Sequence, residues 1–416
     1  MAYDRITLNN GLRIIGERME AVHTVAVGVF VRTGAVNEAP AENGYSHFVE
    51  HMVFKGTKDR DAAALADEMD RLGGATNAFT TKESTCFYTK VLQEDLGRGI
   101  RLLQDLILHP EFPGEDLERE KGVVIEEIAM CEDNPEDLVH ELLSDAQYKG
   151  HPLGLPILGT EEIIRGITRE KLFRFLQTHY TPENTVISIA GAYDWQEAVD
   201  LLEKAFGAWP AGGAPVRNMP PAPVLQNHLV RVKDVEQVQL CVGYPAFAGN
   251  APESYAQLIL STLFGGSMSS RLFQSIRERN GLAYSVYSYV NVYSGAGEME
   301  LYAGTSPETA QQVADLMGAE VRKLLREGIG RDEFEKARQS ARISFVMGQE
   351  SNTSRMRGNG NVLLLYNTTR SFEEILDRLE KTTCDDVNDV ARRIFSAPFC
   401  TAVVGRAGQP LSFAAF

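Results

Sequence analysis

The residues His47-Phe48-Val49-Glu50-His51 place two imidazoles four positions apart with a carboxylate beside the second. On a helix, positions i and i+4 share a face, so His47 and His51 can converge on one ion while Glu50 projects close to that face. Two neutral imidazoles plus a carboxylate make a zinc-type donor set. A third ligand has to come from elsewhere, and the segment Glu115 to Met130 offers Glu120 and Glu127. These two are separated by two helical turns and share a face. Their neighbours Val123-Val124-Ile125 and Ile128 predict partial burial, and glutamates on a buried face are rare unless paired or metal-bound. The plainer reading is a solvated face like that of Glu115 and Glu118, with H-x-x-E-H itself arising by chance on the order of once in a hundred such chains.

The elements that must hold these residues are legible around them. Val25-Ala26-Val27-Gly28-Val29-Phe30-Val31 reads as a strand in a buried sheet. A polar loop, Asn37 to Tyr45, leads into a helix beginning near Ser46. Leu65 to Leu72 reads as a helix closed by Gly73-Gly74. Thr76 to Val91 alternates like a strand or hairpin, and Leu96 to Leu108 is an amphipathic helix stopped by His109-Pro110. Strands and helices alternate, so the expected fold class is α+β, an α/β sandwich.

The Pro/Gly-rich stretch from Trp209 to Pro223 lies near the midpoint of the 416 residues and marks a domain boundary. The expected domains are 1–216 and 217–416. Three weak correspondences in the same order imply that they are copies. Val25-Ala26-Val27-Gly28-Val29 matches Val238-Gln239-Leu240-Cys241-Val242, and Leu117–Lys121 matches Phe334–Arg338. Thr185–Gly191 matches Cys400–Gly405. The second copy carries no H-x-x-E-H: the motif falls on Leu260-Ser261-Thr262-Leu263-Phe264, while Glu120 and Glu127 fall on Ala337 and Ser344. One zinc per chain is therefore expected. His23, His109, His140, His151, His179 and His228 have no ligand-spaced partner and read as structural or surface residues.

Composition narrows the class further. The chain has 41 Lys+Arg against 57 Asp+Glu, a formal charge of −16. That balance argues against nucleic acid as a partner and is compatible with basic ligands. Five scattered cysteines without a C-x-x-C pair predict free thiols in a reducing compartment. The N-terminus shows no basic segment followed by an apolar one, and the apolar run Thr24 to Val31 is too short to cross a bilayer. No membrane association and a cytoplasmic location are expected.

His47-x-x-Glu50-His51 with the distal Glu127 resembles the inverted zinc motif of the pitrilysin/insulinase (M16) peptidases. Gly44-Tyr45-Ser46, Met52–Thr57, Gly74–Ala78, Glu83-Ser84-Thr85 and His151–Gly154 also look like that family, and the resemblance spans essentially the whole chain. It is nearest to the processing-peptidase branch, namely the catalytic β subunit of the mitochondrial enzyme and its bacterial two-domain relatives. The resemblance implies a zinc-dependent endopeptidase acting on extended or unfolded peptides. His47, His51 and Glu127 would hold the metal, Glu50 would be general base and acid, and Glu120 an accessory carboxylate. Arg277 and Tyr284 match a pair that holds the substrate backbone. The strand around Ala75, Asn77, Ala78 and Phe79 would accept a peptide by β-augmentation.

Asp137 and Glu141 resemble a pocket for an arginine near the cut, with the two acidic types swapped relative to the family pattern. The resemblance further implies half of a clam-like chamber completed by a homodimer, or by a heterodimer with a homologous non-catalytic subunit. A catalytically silent or partner-dependent scaffold of the same fold is the alternative. Retention of Glu50 and every ligand weighs against it.

Overall fold

The structure, a computed structural model, describes residues 3–212, 219–406 and 411–416. It is α+β, as expected, and is built on two mixed sheets. The first holds β1 (Asp4–Thr7), β2 (Arg13–Arg18), β3 (Thr24–Val31), β4 (Thr76–Thr80), β5 (Thr85–Leu92) and β6 (Thr185–Gly191) in the order β1-β2-β6-β3-β5-β4. The second holds β7 (His228–Val232), β8 (Val238–Ala246), β9 (Ala283–Val292), β10 (Gly297–Thr305) and β11 (Cys400–Gly405) in the order β7-β11-β8-β10-β9. Each sheet has one parallel pair, β2 with β6 and β7 with β11. Without β1 the two orders coincide strand for strand, so the duplication inferred from three weak matches is a property of the fold.

The first unit's helices include α1 (Tyr45–Met52), α2 (Ala62–Arg71) and α3 (Leu96–Leu108), followed along the chain by α4 (Gly114–Asp133) and α5 (Pro135–Gln147). The compact units are not successive halves of the chain. One comprises Met1–Ile128, Leu155–Asn218 and Val346–Phe372; the other comprises Ala129–Gly154, Met219–Phe345 and Glu373–Phe416. The expected cut at 216/217 lies outside the described residues, and a single cut does not reproduce this division. The cause is a reciprocal exchange: α5 packs on β8 and β11, whereas the helix Asn352–Tyr366 packs on β3 and β6.

That exchange explains the uninterrupted apolar run at Val25–Val31. Its alternate residues serve two different cores. Val25, Val27, Val29 and Val31 join the cluster containing Phe48 of α1 and Leu102 and Leu103 of α3. Ala26 and Phe30 join Met356 and Leu363 on the opposite face. A Cβ at Gly28 would lie 2.3 Å from the Met356 sulfur, so a larger residue there would have to push the buried Met356 side chain aside.

The start of α1 is fixed by two residues. Gly44, its N-cap, adopts φ 93° in the left-handed region. A Cβ at Gly44 would approach the Leu158 carbonyl oxygen to 2.6 Å. The buried Glu38 carboxylate accepts the Gly44 N–H at 2.8 Å and the Ser46 N–H at 2.6 Å, satisfying helix-terminal donors. Gly44→Ala is expected to destabilise the first unit by roughly 1–3 kcal/mol, read as a lower urea midpoint; an unchanged midpoint would contradict this account.

Candidate active site

Helix α1 presents His47, Glu50 and His51 as the i, i+4 spacing predicts, and the first part of α4 brings Glu120 and Glu127 to the same place. The coordinating atoms of His47, His51 and Glu127 all lie within 4.8 Å of one another. Glu127 Oε2 is 3.7 Å from His47 Nε2 and 3.5 Å from His51 Nε2. These separations are too long for good hydrogen bonds. They suit donors around a tetrahedral zinc, which sit about 3.4 Å apart when each bond is near 2.1 Å. Three donors thus converge without bonding one another, and a cation fits between them.

Burial, and next to it the neighbouring His51, lower the His47 pKa to about 4. Its ring is therefore neutral at pH 7, the form that ligates metal. His51 is oriented from behind: its Nδ1 lies 3.2 Å from Glu120 Oε2. Glu120 is buried, and its other oxygen pairs with Lys55 Nζ at 2.7 Å. A carboxylate on the far nitrogen fixes the tautomer that leaves Nε2 free for metal. Glu120 is thus a positioning carboxylate, and Lys55 is its anchor. Lys55→Met is expected to weaken zinc binding roughly tenfold, measurable by competition with a chromogenic chelator; undiminished affinity would remove Lys55 from the site.

Glu50 stands apart from this donor set and is held by the sheet. Its Oε2 accepts the Thr80 hydroxyl at 2.5 Å. Burial raises its pKa, the Thr80 bond and His51 oppose that rise, and Glu127 adds to it. A carboxyl raised toward neutrality is suited to take and return a proton.

Thr80 ends β4, the edge strand of the first sheet. Lys90 N–H donates to the Ala75 carbonyl and Thr81 N–H to the Ser84 carbonyl. In an antiparallel ladder this assigns the odd positions to pairing with β5 and turns the backbone of Thr76, Ala78 and Thr80 outward. Of the four expected edge residues, Ala78 alone therefore turns its backbone away from β5, with its N–H donated to Asn77 Oδ1 at 2.8 Å and its carbonyl facing outward; Ala75, Asn77 and Phe79 turn theirs toward β5. Phe79 instead packs against Tyr88 and under Arg357.

The remaining expected residues belong to the second unit. Arg277 and Tyr284 are brought together: Arg277 Nη1 donates to the Tyr284 carbonyl at 2.7 Å, and its guanidinium lies 4.5 Å from the centre of the Tyr284 ring. Tyr284 is 76% exposed. Asp137 and Glu141 lie one turn apart on α5. Burial first, then both carboxylates, push the Cys131 thiol up to about 11. Glu38, Lys55 and Thr80 are the site residues that sequence reasoning missed.

The insulinase (peptidase family M16) model matches residues 13–161 and the peptidase M16 inactive-domain model matches 166–341. A protein named uncharacterized zinc protease YmxG, from Bacillus subtilis, is 40% identical over 405 residues, covering 97% of this chain and 98% of that protein. The chain belongs to peptidase family M16. A Rickettsia bellii protein, also named an uncharacterized zinc protease, is 36% identical over 399 residues and 96% of each chain. The crystal structure of a protease from Helicobacter pylori shares the fold with a TM-score of 0.92, at 22% identity over 97% of this chain and 99% of that one. The M16 inactive-domain match begins in the first unit and runs on through most of Met219–Phe345 of the second, whose helix Ser254–Phe264, at the place of α1, bears Leu260 and Phe264 where the first bears His47 and His51.

Proposed function

We propose that this chain is a zinc-dependent endopeptidase that cuts extended or unfolded peptides, with a preference for basic residues near the cut. The observation that carries the reading is the link between Glu50 and Thr80, which joins a proton-transfer group beside the metal donors to the end of an edge strand. An extended peptide added along β4 would bond to the outward backbone of Thr76, Ala78 and Thr80 and so be read by its main chain. His47, His51 and Glu127 would hold zinc, which when bound polarises a carbonyl and acidifies water.

Glu50 takes a proton from the attacking water as the new C–O bond forms, and returns it to the leaving nitrogen as the C–N bond breaks. Arg277 and Tyr284 donate hydrogen bonds to the substrate backbone or the developing oxyanion. Asp137 and Glu141 supply charge for a guanidinium on the substrate. Assembly as a homodimer, or with a homologous non-catalytic partner, belongs to the same reading. So does a cytoplasmic location: the five cysteines are free, and among the described residues no helix is long and apolar enough to cross a membrane. A silent scaffold would be favoured by a missing ligand or base, and all four side chains are in place.

The test is digestion of unfolded, arginine-containing peptides by purified protein, with cut sites read by mass spectrometry. Cleavage is expected to stop with a zinc chelator, return with added zinc, and cluster near basic residues. No cleavage by zinc-loaded protein would overturn the reading; cuts without basic bias would remove the Asp137/Glu141 pocket from it.

A further inference from the structure

One face of the first sheet carries two cations without counter-ions, beside the strand proposed to take the substrate. Alternation divides the side chains of β4 between the two faces. Ala78 packs against the cluster that contains Phe48 of α1, and Thr80 reaches Glu50 on that side. Phe79 joins Tyr88 on the opposite face, in the cluster that includes Met356 of the helix Asn352–Tyr366. That helix also places Arg357 over the edge of the sheet. The guanidinium carbon lies 4.8 Å from the Phe79 ring centre and 4.6 Å from that of Tyr88. Lys90, two residues beyond Tyr88 on β5, shares this face. Exposed Asn77 lies opposite Tyr88 in the strand register.

Arg357 differs from the other ring-bound arginines in what it lacks. Arg169, Arg338, Arg378 and Arg393 also lie over aromatic rings, and each is paired with a carboxylate. Among the described residues neither Arg357 nor Lys90 has such a partner, and the buried Arg357 Nε bonds to nothing. The two rings hold the guanidinium in place, while its charge is left for an anion from outside. Two unpaired cations at one sheet edge stand out in a chain whose acidic side chains outnumber the basic ones by 57 to 41.

A strand added to β4 would lie about 4.8 Å away. Directly opposed residues share a face, with Cβ atoms about 4.5–5.5 Å apart. Peptide residues opposite Asn77 and Phe79 would therefore turn their side chains toward Arg357 and Lys90, and those opposite Ala78 and Thr80 toward Glu50. We propose that Arg357, with Lys90 beside it, is a specificity-determining residue that binds a carboxylate side chain of the substrate. The favoured substrates then carry Asp or Glu at alternate positions of the strand-bound segment. A guanidinium offers a carboxylate paired N–H donors, so a planar acid is the natural ligand. This inference rests on the peptidase reading and adds to it a determinant on the face away from the metal donors.

The experiment measures binding rather than cleavage. Zinc-loaded, full-length Glu50→Gln protein is titrated with a fluorescent, unfolded, arginine-containing peptide. A single Glu, or Gln as its control, is moved through successive positions of that peptide. Anisotropy is expected to show Glu binding about three- to tenfold tighter than Gln at positions two apart, with no gain at the positions between. High salt should shrink the gain. Adding Arg357→Gln should erase the alternation while the all-Gln peptide binds as before, and Arg357→Lys should restore part of it. The scan itself keeps Arg357, so the alternation is read without relying on that substitution. A gain at every position, a gain at none, or an alternation that survives Arg357→Gln overturns the proposal and leaves the peptidase reading standing. Failure of every peptide to bind overturns the strand-addition mode of that reading, and the proposal with it.

Discussion

Replacing Glu50 by Gln is expected to lower kcat/KM for peptide cleavage by about 10²–10⁴-fold, a loss of roughly 3–5 kcal/mol of transition-state stabilisation. Gln keeps the shape and can still accept the Thr80 hydroxyl, so zinc content and thermal stability should stay at wild-type values. Glu50 is not among the three converging ligand atoms, and this separates the prediction from simple metal loss. The pH profile carries an independent check. Glu50 must be ionised to take a proton, and burial raises its pKa from the ordinary carboxylate value. The acid limb of kcat/KM should therefore lie higher than for a solvated glutamate, with activity lost as pH falls through the raised pKa. The Thr80 bond stabilises the ionised form and holds that pKa down. Thr80→Ala should thus move the acid limb to still higher pH. If Glu50→Gln retained activity within a few-fold of wild type while holding zinc, another group would be the base.

The convergence of the candidate site residues was legible because they are local or periodic. His47, Glu50 and His51 sit within one helical turn, and Glu120 and Glu127 within two, so helix geometry alone puts each set on a face. Their outer partners were not legible. Lys55 reaches Glu120 over 65 positions, Thr80 reaches Glu50 over 30, and nothing in a single sequence pairs such residues. The same limit hid Arg357, which meets Phe79 and Tyr88 only when its helix lies on the first sheet.

Fold class and duplication were readable from strand-like runs and their order. The division into units was not, because it turns on which sheet a helix covers. Asp137, Glu141 and Arg355 look alike from sequence as charges on amphipathic helices. Only packing shows that Arg355 points at a buried carboxylate of the first sheet while the other two belong to the second unit.

That buried carboxylate gives the largest stability effect to be expected away from the active site. Glu17, on β2, is 2% exposed and pairs with Arg355; its other oxygen accepts from Asn359 Nδ2 at 2.7 Å. Both partners lie on Asn352–Tyr366, the helix that reaches the first sheet from late in the chain. Arg355 also donates from Nε to the Gln349 carbonyl at 2.6 Å, which fixes the turn entering that helix. Arg355→Met keeps much of the apolar stem and removes the charge, leaving Glu17 buried with its amide partner but no cation. Removing one member of a buried pair costs about 3–5 kcal/mol, which for a unit of this size lowers Tm by roughly 10 °C. Glu17→Gln in the same chain should recover much of the loss, because an uncharged amide can be buried against Asn359 without a counter-ion. Calorimetry of the single and double variants decides the matter. A single variant within 1 °C or so of wild type would mean that the ion pair does not clamp this helix to the sheet. A double variant no more stable than the single one would mean that lost packing of the Arg355 stem, rather than the stranded Glu17 charge, sets the cost.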